Sequence, residues 1–231
     1  MLIRQNLLLK LPGVRLLGRV RTELESRWFD FRHRVHTHGD VTPDKMIVRG
    51  PNTAHAVLYN PTHLRSGRQV FRDLPVADFS RYIFIDFGSG KGRMLFLAAE
   101  HPFRSILGIE FAVDLHATAE QNICRYRNPK QACFDIRSIN IDAAQFEFPN
   151  ENCVLYFFFP FRRPVMEPLI NRLDRSLDEH PRDVILVYMN PELADIIERT
   201  RNLRLHMPGR YYNIYRSVSS GAEQLQGRCA G

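Results

Sequence analysis

Cysteine is scarce in this chain and poorly spaced for metal chemistry. Cys124, Cys133, Cys153 and Cys229 form no short-spaced pair, which excludes the paired half-sites of structural zinc. A chain of 231 residues can bury its own core without disulfide staples, so a reducing, cytoplasmic setting is expected. Also missing is any apolar run near the roughly 20 residues that cross a bilayer. The leucine-rich start, MLIRQNLLLKLPGVRLLGRV, is broken at Lys10, Pro12 and Gly13. No small-residue cleavage site follows it, so neither a transmembrane segment nor a secretory leader is predicted. There is no serine in a nucleophile elbow and no cysteine in a thiol-activating context, and covalent catalysis gains no support.

Acidic residues are the scarcer charge: 25 Asp and Glu face 32 Lys and Arg, leaving a net charge of +7. The imbalance is local. Eight basic residues and three acids lie between Met1 and His38, and the rest of the chain is nearly neutral. This predicts a basic amphipathic arm over residues 1–40, peripheral to a single domain at 41–218, and suited to an acidic partner or a membrane surface. Basic and aromatic residues also interleave in ESRWFDFRHR, a pattern that can bind a nucleic acid strand but that a helix packed on a core shows as well. Residues 219–231 are small and polar, and disorder is expected there.

From Arg81 onward, short apolar runs alternate with segments of helical spacing, the signature of an α/β domain built on a parallel sheet with helices on both faces. Strands are predicted at Tyr82–Phe87, Ser105–Glu110, Cys133–Ile139, Cys153–Phe159 and Asp183–Met189. Helices are predicted near Gly92–Glu100, Leu115–Tyr126, Val165–Leu177 and Pro191–Thr200. Only about a dozen residues separate the third and fourth strands, too few for a crossover helix, so a loop or single turn is expected. Pro208 and Gly209 divide two strand-like halves, which predicts a C-terminal antiparallel hairpin and one reversed strand near the sheet edge. The whole is a Rossmann-like, mostly parallel sheet.

The stretch YIFIDFGSGKGRML puts Gly88, Gly90 and Gly92 where a buried strand passes into a helix. Glycines there let the backbone turn sharply and approach a ligand, with the amides at the helix start facing it. A phosphate-gripping loop would need Ser or Thr after Gly-Lys, and here Gly92 follows Lys91. A dinucleotide fingerprint would need glycine at 93, which is Arg93, and this weakens a nicotinamide-dependent oxidoreductase without excluding it.

The arrangement Asp86, Gly88, Gly90, Gly92 resembles the first motif of class I S-adenosylmethionine-dependent methyltransferases. The resemblance implies that Gly88, Ser89, Gly90 and Gly92 cradle the aminoacyl end of S-adenosyl-L-methionine, with Asp86 favouring its ammonium. Backbone amides at a helix start suit the carboxylate. Glu110 ends the next strand, about 20 residues on, where an acid can accept both ribose hydroxyls. By the same resemblance Asp142 accepts from the adenine amino group and the backbone at Ala143 reads the ring.

At the end of the fourth strand the family often carries Asn-Pro-Pro-aromatic when it methylates a base or an amide nitrogen. Here the sequence is Phe159-Pro160-Phe161, which favours a protein side chain or small molecule as acceptor over a nucleic acid base. Phe159 and Phe161 are either a wall beside the methyl group or plain core. The stretch AVLYNPTHLRSGRQVFRDL is similar to a segment of small bacterial methyltransferase-like proteins of unassigned substrate, and places Tyr59 at the cofactor. DFGSGKGR is also similar to the glycine loop of some non-SET protein lysine methyltransferases. Tyr59, His63 or a crevice carboxylate are candidate bases, unranked. A module that binds the cofactor without transferring its methyl group is the alternative.

In HRVHTHGD, the run His36-x-His38-x-Asp40 is similar to that of metal-dependent hydrolases. Val41 stands where those enzymes usually carry another histidine, and the preferred reading is a polar loop folded over the cofactor cleft.

Overall fold

The computed structural model describes residues 12–48, 57–158 and 161–218, without the side chains of 12–17 and 19. The predicted tail, the first eleven residues and Phe159 lie outside the described residues.

Helix α1 (Pro12–His33) opens on proline, tolerated in a first turn where the N–H has no helical partner, and stops at Arg34, whose φ is 59°. Helix α2 (Leu64–Asp73) follows a short loop. Then come β1 (Ile83–Phe87), α3 (Arg93–Ala98), β2 (Ser105–Glu110), α4 (Val113–Arg125), β3 (Ile136–Asn140) and β4 (Cys153–Phe158). The chain ends with α5 (Arg163–Glu179), β5 (Val184–Met189), α6 (Ala194–Glu198), β6 (Leu203–Met207) and β7 (Tyr212–Ser217).

The seven strands form one sheet in the order β3-β2-β1-β4-β5-β7-β6. The first five run parallel; β7 runs antiparallel to both β5 and β6. The reversed strand thus sits one place in from the edge, as the Pro208-Gly209 turn predicts. A single turn at Ala143–Gln145 joins β3 to β4 on the side of α5.

Strand periodicity divides the core in two. Phe84, Val154, Tyr156, Ile185 and Val187 face α1 to α4 and pack with Phe29, Phe71, Leu95 and Tyr126. Ile83, Ile85, Leu155, Phe157 and Leu186 face α5 and α6 and pack with Leu169, Leu173 and Ile197. The central strands are buried on both faces, so their sequences are nearly unbroken apolar runs. Asp86, next but one after Phe84, is the exception within β1.

Two elements differ from the expected spans. The third strand starts at Ile136 rather than Cys133, because the N–H groups of Ala132 and Cys133 both donate to the Ala99 carbonyl at 2.7 and 3.2 Å and tie that segment to the end of α3. The last helix spans Ala194–Glu198, shorter than Pro191–Thr200, since Asn190 turns left-handed (φ 47°) and the following residues form turns first.

Candidate functional site

The carboxyl ends of β1, β2 and β4 open into a crevice, where ligands bind in sheets of this kind. At the tip of β1 the chain reverses through three left-handed glycines, Gly88 (φ 76°), Gly90 (φ 53°) and Gly92 (φ 89°), the last capping α3. The Gly88 and Ser89 N–H groups donate back to the Ile109 carbonyl at 2.8 and 3.1 Å, and Gly92 N–H donates to Ser89 O at 2.9 Å. These bonds fix the turn against β2. Gly90 is also sterically specified: a Cβ there would meet the Tyr59 ring at 2.0 Å.

Two adjoining cavities lie under this turn. The larger, with about 620 Å³ of empty space, is lined by Asp86, Gly88, Ser89, Glu110, Tyr59, Asn60, Tyr156 and Phe161 among others. The smaller, about 320 Å³, is lined by Ile109, Phe111, Ile141, Asp142, Ala143 and Val165 and shares Gly88, Phe111 and Phe161 with the first. One continuous trough thus runs from Asp86 past Glu110 to Asp142.

Two buried acids stand along it. Glu110 accepts from Gly90 N–H at 2.7 Å on one oxygen and from Ala112 N–H at 2.9 Å on the other. A carboxylate has about four lone-pair positions, and these N–H groups do not fill them all, which leaves room for a ligand's donor. Burial raises its pKa to about 7 against the pull of the Ala112, Gly90 and Phe111 N–H groups. Asp86 is held well above the usual carboxylate range, first by burial and then by the charge of Glu110. A cationic or hydroxyl-bearing ligand would relieve both.

Asp142 caps the turn after β3, accepting from Ala144 N–H at 2.9 Å, which leaves its carboxylate at the mouth of the smaller cavity. Gly92 shapes the start of α3, and neither it nor Gly90, which lies under the Tyr59 ring, lines either cavity.

The histidine-rich loop folds onto the turn. Asp30, buried at the end of α1, accepts from Thr37 N–H (2.6 Å), Thr37 Oγ1 (2.6 Å) and His38 N–H (2.9 Å), and His38 Nδ1 sits 2.7 Å away. Burial works to raise its pKa, but the bonds from Thr37 and His38 prevail and hold it below the usual range. Arg93, buried at the first position of α3, donates to Thr37 Oγ1 and Ser26 Oγ at 2.8 and 2.9 Å and lies 3.8 Å from Asp30. Lys91 Nζ donates to the His38 carbonyl at 2.9 Å.

Donor atoms of Asp30, His36 and His38 lie within 4.8 Å of one another, but both Asp30 oxygens are already engaged by the loop. Replacing Asp30 with alanine should therefore cost about 3 kcal/mol, because Arg93 would be left buried without its counter-charge. Urea unfolding would measure this; a loss under about 1 kcal/mol would mean the pair acts like an exposed one.

Of the candidate bases, Tyr59 is spoken for. Its hydroxyl donates to the Thr37 carbonyl at 2.9 Å and burial raises its pKa. His63 is exposed, precedes α2 and lines a groove that shares Asn60 and Pro61 with the larger cavity. The sequence reading missed Asn60, Thr62, Phe111 and Tyr156, which line the larger cavity. A signal for Asn60 and Thr62 was at hand, since both lie in the stretch AVLYNPTHLRSGRQVFRDL that already placed Tyr59 at the cofactor.

No protein-family model and no curated protein matches this sequence. Solved structures do share its architecture. The Escherichia coli protein yhhF, described as a putative methyltransferase, superposes with a TM-score of 0.52 at 18% identity over 74% of this chain and 92% of its own. A Listeria monocytogenes protein predicted to be an N6-adenine-specific DNA methylase gives 0.51 at 14%, over 69% of this chain and 52% of its own. The fold is that of the class I methyltransferases. At these identities the fold alone is shared. Within the methyltransferase fold, the glycine turn and both acids stand at the strand ends that border the crevice.

Proposed function

We propose that this protein is an S-adenosylmethionine-dependent methyltransferase, with residues 41–218 carrying the cofactor site and the arm to residue 40 closing one side of it. What supports this reading is the buried acid pair, Asp86 and Glu110, set on either side of a glycine-rich turn in a trough with an apolar far end.

The residues present suit S-adenosyl-L-methionine. Gly88 and Ser89 line the trough where the aminoacyl end would lie, while the Gly90 N–H, already bonded to Glu110, fixes that acid beside them and Gly92 sets the helix start behind. Asp86 is placed for an ammonium, and the room left on Glu110 suits a sugar hydroxyl. Phe111, Ala143 and Phe161 form the apolar bed for a flat base, with Asp142 at its edge. Tyr59 covers the turn. Phe159 remains assigned to the methyl-facing wall on sequence alone.

The bound cofactor would supply a methyl group already activated by its sulfonium. The chain's part is then to align an acceptor and exclude water, which a trough walled by Met94, Tyr156, Phe158 and Phe161 can do. This wall, and the absence of asparagine from Phe158 to Phe161, favour a protein side chain or small molecule over a nucleic acid base as acceptor.

S-adenosylhomocysteine should raise the melting temperature by several degrees at saturating concentration, while NAD and NADP should not; stabilisation by NAD alone would replace this reading with an oxidoreductase. Labelled cofactor incubated with cell extract should leave label on a fraction only when active protein is present. Binding without any such transfer would indicate a passive cofactor-binding module.

A further inference from the structure

The outer face of α1 is apolar where a peripheral helix should be polar. Val20, Leu24, Trp28 and Phe31 are 49, 61, 64 and 78% exposed. Their spacing of three and four residues aligns them in one stripe, turned about half a helix away from Ser26, Phe29, Asp30 and His33, which are buried against the domain. The Trp28 and Phe31 rings lie 6.0 Å apart between centroids. Isolated exposed apolar residues need no explanation, but a continuous row ending in two aromatics does. Among the described residues, no helix is long and apolar enough to cross a membrane.

Cations border the row. Arg21 and Arg27 flank it on either side and are paired with Glu25 and Glu23. Arg32 and Arg34 have no acid partner among the described residues, and Arg65 and Arg68 of α2 line the groove beside Trp28 and Arg32. The sequence before α1 has the same character, with Leu2, Ile3, Leu7, Leu8, Leu9 and Leu11 interspersed with Arg4 and Lys10.

We infer that α1 lies in the surface of an anionic bilayer, its Val20-Leu24-Trp28-Phe31 row seated at the acyl boundary and its arginines among the headgroups. A second copy of the chain fits less well, because a two-fold contact through this face would set arginine rows against each other. Single-stranded nucleic acid could use the two aromatics for stacking, but would leave Val20 and Leu24 without a role. The inference does not depend on methyl transfer, so vesicle binding and cofactor binding can fail separately.

Trp28 is the only tryptophan, which makes it a built-in reporter. Full-length protein should sediment with phosphatidylcholine vesicles containing phosphatidylglycerol and show a blue-shifted emission, and should do neither with phosphatidylcholine alone. The double variant Leu24→Ser/Phe31→Ser, altered only on the exposed face, should keep its circular dichroism and lose at least roughly 10-fold in vesicle affinity. Arg32→Glu/Arg34→Glu should weaken binding by a similar factor, as added salt should. Unshifted emission with anionic vesicles, or equal binding to neutral ones, overturns the inference. So does a concentration-dependent dimer that the serine variant disrupts, or a shift produced by single-stranded RNA and not by vesicles.

Discussion

Valine at position 90 should leave a folded protein that no longer binds S-adenosylhomocysteine, with affinity reduced by roughly 100-fold or more, equivalent to about 2.7 kcal/mol. Two independent effects combine. A β-branched residue is strained at the φ of 53° that Gly90 adopts. Its Cβ would also fall 2.0 Å from Tyr59 Cε2 and 2.3 Å from Cδ2. Tyr59 has little room to retreat: its N–H and carbonyl pair with Val41 at 2.9 and 3.1 Å, its hydroxyl is bound to Thr37, and Lys91 Nζ stands 5.2 Å over its ring. The shift would fall on the turn itself and on the Gly90 N–H that holds Glu110.

Gly39→Ala is the control. That glycine is also left-handed (φ 81°), but a Cβ there meets nothing within 4 Å, so it carries strain without collision and should leave binding intact. Titration calorimetry on both variants would decide the matter. Wild-type affinity in the valine variant would mean that the turn does not touch the ligand.

The second large effect belongs to Glu110 and is read through pH. Its folded-state pKa is about 7 against an ordinary value of 4.5, so the native protein retains a proton that the unfolded chain releases. Stability from this group is therefore fully present below about pH 4.5 and lost as pH rises through 7, a change of about 3 kcal/mol. Glu110→Gln should flatten that slope in urea unfolding.

Cofactor binding should run the other way, because hydroxyl donors favour the ionised carboxylate. Affinity for S-adenosylhomocysteine should rise between roughly pH 5.5 and 8, by up to about tenfold per unit for each acid titrating, with a proton released on binding. Asp86, raised for related reasons, adds in the same direction. The glutamine variant should lose about 100-fold, since its NH₂ would face the Gly90 or Ala112 N–H, donor against donor. Affinity independent of pH in the wild type would place the sugar elsewhere.

The sheet was legible because its central strands are covered on both faces and leave unbroken apolar runs such as CVLYFFF. The hairpin was legible because Pro208 and Gly209 are turn residues with a mechanism. The glycine turn and Glu110 were legible because a strand end limits where a side chain can stand. The histidine loop was expected over the cleft and packs on the glycine turn, but the contacts that hold it were not legible, since Asp30 meets Arg93, and Asn122 Nδ2 meets the His36 and Lys91 carbonyls at 3.0 and 2.9 Å, across separations that no local pattern records. The start of β3 failed for the same reason, because the Ala99 carbonyl decides it from another element.

The sharing of Asp30 has a dynamic consequence. One carboxylate organises the backbone at Thr37 and His38 while facing the guanidinium that begins α3, so the histidine loop and the glycine turn on which it packs belong to a single cooperative unit. Neither can loosen alone. Amide protons at Thr37 and around Gly90 should consequently exchange with solvent at matching opening free energies, and a ligand that stills one segment should slow the other to the same extent.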